Sequence, residues 1–241
     1  MAKLSVNVNK IATLRNARGG GAPDLMGFVG LIIAFGAHGI TVHPRADRRH
    51  ITPDDARAVV RGVQRVETNF EGDVRAEFLD LVLECRPTQC TLVPVQPGEV
   101  TSNHGWAVAQ WAFLLAPVVA RIKEEGIRVS LFVEPGDTAS VRAAASIGAD
   151  RIEIYTEPYA AAFLRGDPDA ELNRVLRSAQ AADQCGLQVN AGHDLTHLNL
   201  PLLVRNVPNL AEVSIGHHLI SHALLVGMER AVGDYLKAAQ G

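Results

Sequence analysis

The feature that most limits what this chain can fold into is a recurrence. A short apolar or β-branched run followed by a helix-length stretch returns eight times along 241 residues. The runs are Leu4–Val8, Gly39–Val42, Glu67–Phe70, Gln89–Val93, Arg128–Val133, Arg151–Tyr155, Gln188–Ala191 and Glu212–Ile215. They start roughly 20 to 40 residues apart, which leaves room for the helix that a parallel crossover needs and a hairpin does not. Gly36, Gly126, Gly148 and Gly186 each stand just before a run, where glycine closes a helix. Thr52-Pro53-Asp54-Asp55 opens another helix with an N-cap and then proline at its first position. Asp137 or Thr138 caps a further one. Trp106 to Ile122 is apolar almost all round and reads as a buried helix, in the fold or in a subunit contact; Val226 to Ala239 reads as an amphipathic closing helix. No linker, repeat array or low-complexity segment divides the chain. The expected fold is therefore α/β, a (β/α)8 TIM barrel forming a single domain over residues 1–241. A doubly wound open sheet is the alternative, but neither G-x-G-x-x-G nor G-x-x-x-x-G-K-[ST] occurs.

Charge and cysteine content narrow the function classes. A net charge of −3 gives no basic excess to displace counterions, so a nucleic-acid partner is not expected. Cys85, Cys90 and Cys185 are odd in number and lack C-x-x-C spacing, as in reduced, packed thiols of a cytoplasmic protein. Leu25 to Val42 carries no Lys, Arg, Asp or Glu, yet Gly27, Gly30, Gly36 and His38 interrupt it. Its pattern changes from helix to strand within the stretch, so it does not read as a membrane span. The chain also runs from Met1 straight into a strand, without a signal-like segment.

Polar groups follow the strand runs. The first ends in Asn7, Asn9 and Lys10, the second in His43, and the third in Glu71; the sixth contains Glu153. The seventh ends in Asn190 and His193, beside Asp194, and the eighth in Gly216 and His217. In a parallel barrel these ends share the face where ligands bind. After His43 the chain passes Pro44 into a loop with Arg45, Arg48, Arg49 and His50, and guanidinium groups pair with phosphate or carboxylate in a bidentate way. The plain alternative is a solvated surface loop. Gly216-His217 opens a helix whose N-terminus can hold an anion, unless the glycine serves only the turn. Arg18, in the glycine-rich stretch after the first strand, reads as a lid, a second anion contact or a flexible connector. Glu71 with His43 and His193 supplies groups for proton transfer near neutral pH, although Glu71 could instead pair with Arg45. His193-x-x-x-His197 and His218-x-x-x-His222 have metal-ligand spacing but no evident third ligand, so no metal is expected. Trp106 and Trp111 read as packing.

Several stretches together resemble the pyridoxine 5′-phosphate synthase family. They are Val6-Asn7-Val8-Asn9-Lys10-Ile11-Ala12-Thr13-Leu14-Arg15-Asn16-Ala17-Arg18-Gly19, Gly39-Ile40-Thr41-Val42-His43-Pro44-Arg45, Asp47-Arg48-Arg49-His50, Asn69-Phe70-Glu71, Glu99-Val100-Thr101, Ile152-Glu153-Ile154, Val189-Asn190-Ala191-Gly192-His193-Asp194 and Ser214-Ile215-Gly216-His217. The resemblance implies a barrel that condenses 1-deoxy-D-xylulose 5-phosphate with 3-amino-2-oxopropyl phosphate to pyridoxine 5′-phosphate, without metal or organic cofactor, as a homo-octamer. By position it implies His43 and Glu71 as proton acceptors, His193 as proton donor and Glu153 as a stabiliser of charge. Arg45, His50 and Thr101 would hold the deoxyxylulose phosphate; Asn7, Arg18, Gly216 and His217 would hold the aminoketone phosphate. There are two departures from the familiar pattern: Asn9-Lys10 replaces Asp-His, and Asp194 replaces glycine. The departures bear on substrate contacts. Lys10 reads as a charged ligand for substrate oxygens or, alternatively, as a Schiff-base nucleophile.

From the residues themselves, two facing anion sites across acid–base groups fit this condensation. Another phosphosugar isomerase, epimerase or aldolase, or a barrel kept as a non-catalytic scaffold, are the competing readings.

Overall fold

A computed structural model describes residues 1–95, 103–207 and 209–241. Eight parallel strands close into a barrel in sequence order, β1 pairing with β8. The elements run β1 (Lys3–Asn7), α1 (Asn9–Asn16), α2 (Leu25–Ala34), β2 (Gly39–Val42), α3 (Pro53–Gly62), β3 (Glu67–Gly72), α4 (Ala76–Cys85) and β4 (Gln89–Leu92). They continue with α5 (Val108–Glu124), β5 (Arg128–Val133), α6 (Thr138–Ser146), β6 (Arg151–Tyr155), α7 (Glu157–Leu164), α8 (Asp169–Gln184) and β7 (Gln188–Gly192). The last are α9 (Leu200–Asn206), β8 (Leu210–Ile215), α10 (His217–Val226) and α11 (Met228–Ala238). All eight expected strands are present, three with the expected bounds and the rest shifted by one or two residues at an end.

The helices hold more than the simple repeat. Two helices follow β1, β6 and β8 instead of one. Pro158 in the first turn of α7 and the left-handed Gly166 after it cut what reads as one crossover into two. Gly227, at φ +85°, separates α10 from α11, so the closing helix starts at Met228 rather than Val226. Thr52 forms a complete capping box with Asp55, and Asp137 caps α6. Within one chain the helix after Trp106 is buried on one side only. In α5 only one stripe (Val108, Leu115, Val119 and Ile122) is buried, while Trp111 and Phe113 are exposed and stack on each other 6.0 Å apart. An outer-ring helix presents one face to the barrel, and composition alone does not show which.

The strands are apolar toward the helices and polar toward the barrel axis. Leu4, Ile40, Phe70, Leu131 and Ile152 are fully buried under the helical ring. The alternate positions face one another across the interior. Ser5 and Thr41 share a 2.7 Å hydrogen bond, Asn69 donates to Thr41 (3.4 Å), and Thr91 donates to Asn69 (3.1 Å). One layer lower, Arg151 donates to Gln89 (3.1 Å) and Asn190 (3.2 Å). Barrels of this kind more often fill their axis with branched apolar side chains. Here the cohesive core is the shell between strands and helices, and the axis is left for polar chemistry. Phe70→Ala, which empties part of that shell, is expected to cost about 3–5 kcal/mol. The check is the urea unfolding midpoint. Among the described residues no helix is long and apolar enough to cross a membrane.

Candidate active site

A cavity of about 530 Å³ opens at the carboxyl ends of the strands. Its lining includes Asn7, Asn9, Lys10, His43, Arg45, His50, Glu71, Glu153, His193, Asp194, Gly216 and His217. These come from loops far apart in sequence, so the barrel brings together nearly every strand-end residue singled out above. Asn190 and Arg18 are not part of that lining. Arg18 lies exposed after α1, outside the lining, and Thr101 lies outside the described residues.

The first wall is built by α1 and the loop after β2. Asn7 Oδ1 accepts from the Asn9 backbone N–H (3.0 Å), and Asn9 Oδ1 accepts from the His43 backbone N–H (3.0 Å). Asn9 is thus a brace between two strand ends. Asn16 Nδ2 donates to the His50 carbonyl (2.7 Å), while Arg15 pairs with Asp55 through both nitrogens (2.7 and 2.8 Å). Helix α1 therefore holds the arginine loop and the start of α3 together. His50 Nδ1 accepts from the Ile51 N–H (2.9 Å), which assigns its proton to Nε2. Burial, then Arg49 and Arg45, push the His50 pKa down to about 4. The imidazole is neutral and still presents an N–H donor beside two guanidinium groups, an arrangement suited to a phosphate. Arg45 Nε lies 3.8 Å from Asp47, not on Glu71.

Deeper in the cavity are the proton-transfer groups. Glu71 Oε2 lies 3.9 Å from His43 Nδ1 and accepts from Asn7 Nδ2 (3.3 Å); Glu71 Oε1 accepts from Ser214 Oγ (3.1 Å). Burial lifts the Glu71 carboxyl to about 7, with Glu212 adding to the rise and the Ser214 and Asn7 bonds opposing it. Burial lifts Glu153 well above the usual carboxylate range, with the charges of Glu71 and Glu212 adding. Its Oε2 is buried and has no hydrogen-bond partner among the described residues. His43 is held well below the ordinary histidine value, first by burial, then by Arg45, His50, Arg75 and His193. Arg75 is bonded to the Pro44 carbonyl and to Asp73, and so fixes the chain as it leaves His43.

The opposite wall is the end of β7 and the start of α10. His193 and Asp194 both occupy the left-handed region, at φ +88° and +57°. Thr156 Oγ1 donates to the carbonyls of Gly192 (2.7 Å) and His193 (2.6 Å), and Asn199 Nδ2 donates to the Asp194 carbonyl (3.3 Å). Tyr159 in turn donates to the Asn199 carbonyl (2.7 Å). This network over-determines a strained turn, as functional turns require. The His193 ring packs edge-on against Tyr155 (5.2 Å) and against Phe132 (6.0 Å). Burial lowers its pKa, Asp194 opposes that, and Lys10 reinforces it. Asp194 turns to His218 in the first turn of α10 (3.2 Å), so its charge is shared with an imidazole. Gly216 N-caps α10 with Asn7 packed against it; a Cβ there would sit 3.0 Å from both Asn7 Cβ and its carbonyl oxygen. The His-x-x-x-His spacings do not converge on a metal: His197 stacks on His222 (4.4 Å), and His222 pairs with Asp234 (3.0 Å).

Reasoning from sequence missed Ser214, Phe132, Thr156 and Asn199 as parts of the site. Ser214 was within reach, because it stands two residues before Gly216 and so shares its face of the strand. The Thr156 and Asn199 contacts cross between loops, and no local pattern announces them.

The model of the family described as pyridoxal phosphate biosynthesis protein PdxJ matches residues 4–241. The chain is 49% identical over 235 residues to pyridoxine 5′-phosphate synthase of Bacteroides fragilis, covering 98% of each chain. It is 48% identical over 253 residues to pyridoxine 5′-phosphate synthase of Leptospira biflexa, covering 98% of this chain and 96% of that one. Among solved structures it resembles 3-keto-L-gulonate-6-phosphate decarboxylase of Vibrio cholerae (TM-score 0.69, 9% identity, 99% and 97% coverage). It also resembles phosphoribosyl anthranilate isomerase of Thermotoga maritima (TM-score 0.60, 12% identity, 100% of both chains). At these identities the likeness is one of fold.

Proposed function

The chain belongs to the pyridoxal phosphate biosynthesis protein PdxJ family, and on that premise we propose that it condenses 1-deoxy-D-xylulose 5-phosphate with 3-amino-2-oxopropyl phosphate, releasing pyridoxine 5′-phosphate, inorganic phosphate and water. The observation that carries the reading is the convergence of Glu71, His43, His193 and Glu153 between two walls suited to anions. Arg45 and His50, with Thr101, hold the deoxyxylulose phosphate. Asn7, Gly216 and His217 hold the aminoketone phosphate at the N-terminus of α10. Asn9 braces the first wall, Lys10 serves as an electrostatic ligand at the mouth, and Asp194 orients His218 beside the second phosphate. Arg18, exposed beside Gly19, is assigned to the aminoketone phosphate by the family likeness alone.

Imine formation, dehydration and ring closure each move a proton, and no step calls for a metal or an organic cofactor. His43, neutral in its buried setting, accepts one. A phosphate dianion bound at Arg45 offsets the cationic field that adds to burial in holding His43 low, so substrate binding makes it a stronger base. Glu71, titrating at about 7, can accept a proton in one step and return it in another. Burial favours the protonated form of Glu153, and in the state where it carries the proton it donates a hydrogen bond to developing negative charge, as buried carboxylic acids do elsewhere. His193 protonates the leaving oxygen. The enzyme acts as a homo-octamer in the cytoplasm. Exposed Trp111, Phe113, Leu224 and Leu225 supply apolar surface for self-association, and the three free cysteines suit a reducing compartment.

The test is to incubate the purified protein with both substrates and assay pyridoxine 5′-phosphate by mass spectrometry. A folded protein that forms none, or that turns over the deoxyxylulose phosphate alone, removes the reading. Arg45→Lys keeps the charge and loses the fork. It is expected to raise the KM for the deoxyxylulose phosphate by roughly 10- to 100-fold, the worth of a charge-assisted hydrogen bond, and to spare the aminoketone. Equal loss for both substrates would contradict the assignment.

A further inference from the structure

Beneath Glu71 and Glu153 lies a third carboxylate that the proposed chemistry does not use. Glu212 stands on β8 two residues before Ser214, so both side chains enter the barrel on the same face. Ser214 ends on Glu71 Oε1, which puts Glu212 one layer below the cavity floor. It is 3% exposed, and its register partner on β7 is Asn190. Arg151 Nη1 approaches Glu212 Oε2 only to 3.7 Å, longer than a hydrogen bond. The guanidinium is committed instead to amide oxygens of Gln188 (2.8 Å), Gln89 (3.1 Å) and Asn190 (3.2 Å). Glu212 Oε1 is buried with no hydrogen-bond partner among the described residues. Glu67, in the same layer, shows what a purely structural carboxylate looks like here: Lys3 reaches it at 2.6 Å and Arg128 at 2.7 Å. Glu212 is enclosed and weakly compensated, so its field passes up the barrel to Glu71 and Glu153.

Resting on the function proposed above, we propose that Glu212 is a positioning residue for the reaction: it meets no substrate, but biases which carboxyl of the Glu71–Glu153 pair carries the proton. Three carboxyls in one low-dielectric enclosure do not all ionise together. Burial is the main cause that lifts Glu71 and Glu212 each to about 7 and Glu153 well above the ordinary carboxylate range, and the Glu212 charge adds to the rise of the other two. The charged and titratable groups facing the cluster are Lys3 on β1, His43 after β2, Glu67 on β3, Arg128 on β5, Arg151 on β6 and His193 after β7. The cations gather at the floor and the imidazoles at the mouth, so Glu71, between them, keeps a proton it can exchange near neutrality.

The test uses the full-length protein. Glu212→Gln keeps the shape and removes the charge, and it also leaves the Arg151 cation uncompensated. Both changes favour the Glu71 carboxylate, so the acid limb of kcat/KM should move to lower pH by about one unit. Glu212→Asp restores the charge and should return the limb toward that of the parent. A folded Glu212→Gln protein with the parental pH profile overturns the proposal, as does equal loss of kcat in both variants with no movement of the limb. Infrared titration of the unmutated protein decides the matter if Glu212→Gln does not fold. The carboxylic-acid band lost in Glu71→Gln should titrate near neutral pH in step with the one displaced in Glu212→Asp, and independent titration of the two overturns the proposal. Those bands are read without turnover, so a protein that made no pyridoxine 5′-phosphate would fail the proposed function while leaving this reading to the infrared result.

Discussion

Glu71→Gln is expected to lower kcat by about 10²–10⁴, the usual worth of a positioned general base. The amide keeps the shape of the carboxyl: its oxygen can still accept from Asn7, and its NH2 can donate to the Ser214 hydroxyl in place of the bond Ser214 now donates, so thermal unfolding should shift little. The pH dependence gives a second check. A base with a pKa of about 7 must lose its proton before it can act. The kcat/KM of the parent should therefore rise with pH through the neutral range, and this limb should vanish in the residual activity of the variant. Steady-state kinetics across pH 5 to 9 would read both. Near-normal kcat would take Glu71 out of the mechanism, and an unfolded variant would make it structural.

The second large effect is expected at a residue with no side chain. A Cβ at Gly192 would fall within the van der Waals envelope of Glu153 Oε1. Glu153 has little room to yield, since it is buried in β6 with Gly192 on the neighbouring strand. Gly192→Ala should push the carboxyl aside by about 1 Å, and a displacement of that size costs roughly 10²-fold in rate. The loss should fall on kcat, because Gly192 touches neither anion site. A crystal structure of the variant would show the Glu153 shift. A variant with unchanged kcat and a displaced Glu153 would separate this carboxyl from the chemistry.

What the sequence made legible follows from the range of each signal. The barrel was legible because each βα unit carries its own punctuation, as the capping box at Thr52 and the left-handed Gly36, Gly126, Gly148 and Gly186 show. The doubled helices after β1, β6 and β8 were not, since Gly166 and Gly227 look the same whether they end a crossover or divide one. Within the site, His43, Glu71 and His193 were legible because they sit at strand ends, where topology alone brings them together. Glu212 was not. Its role depends on what Arg151 bonds to instead, and that is decided among β4, β6 and β7. The exposure of Trp111 and Phe113 was not legible either, since apolarity does not distinguish a buried stripe from an uncovered one.

The inverted polarity of the strands has a consequence for how such a sequence can change over generations. Cohesion is vested in Leu4, Ile40, Phe70 and their outward neighbours, while the axial positions supply the cavity proposed for the reaction. The two sets alternate residue by residue, yet they face different surroundings and answer to different selection. A library randomised at outward positions should be depleted of protein that accumulates in cells. One randomised at axial positions, with polarity kept, should be depleted of catalysis while expression persists. Drift toward a new substrate therefore has a route through every second residue of each strand, along which the scaffold need not be rebuilt.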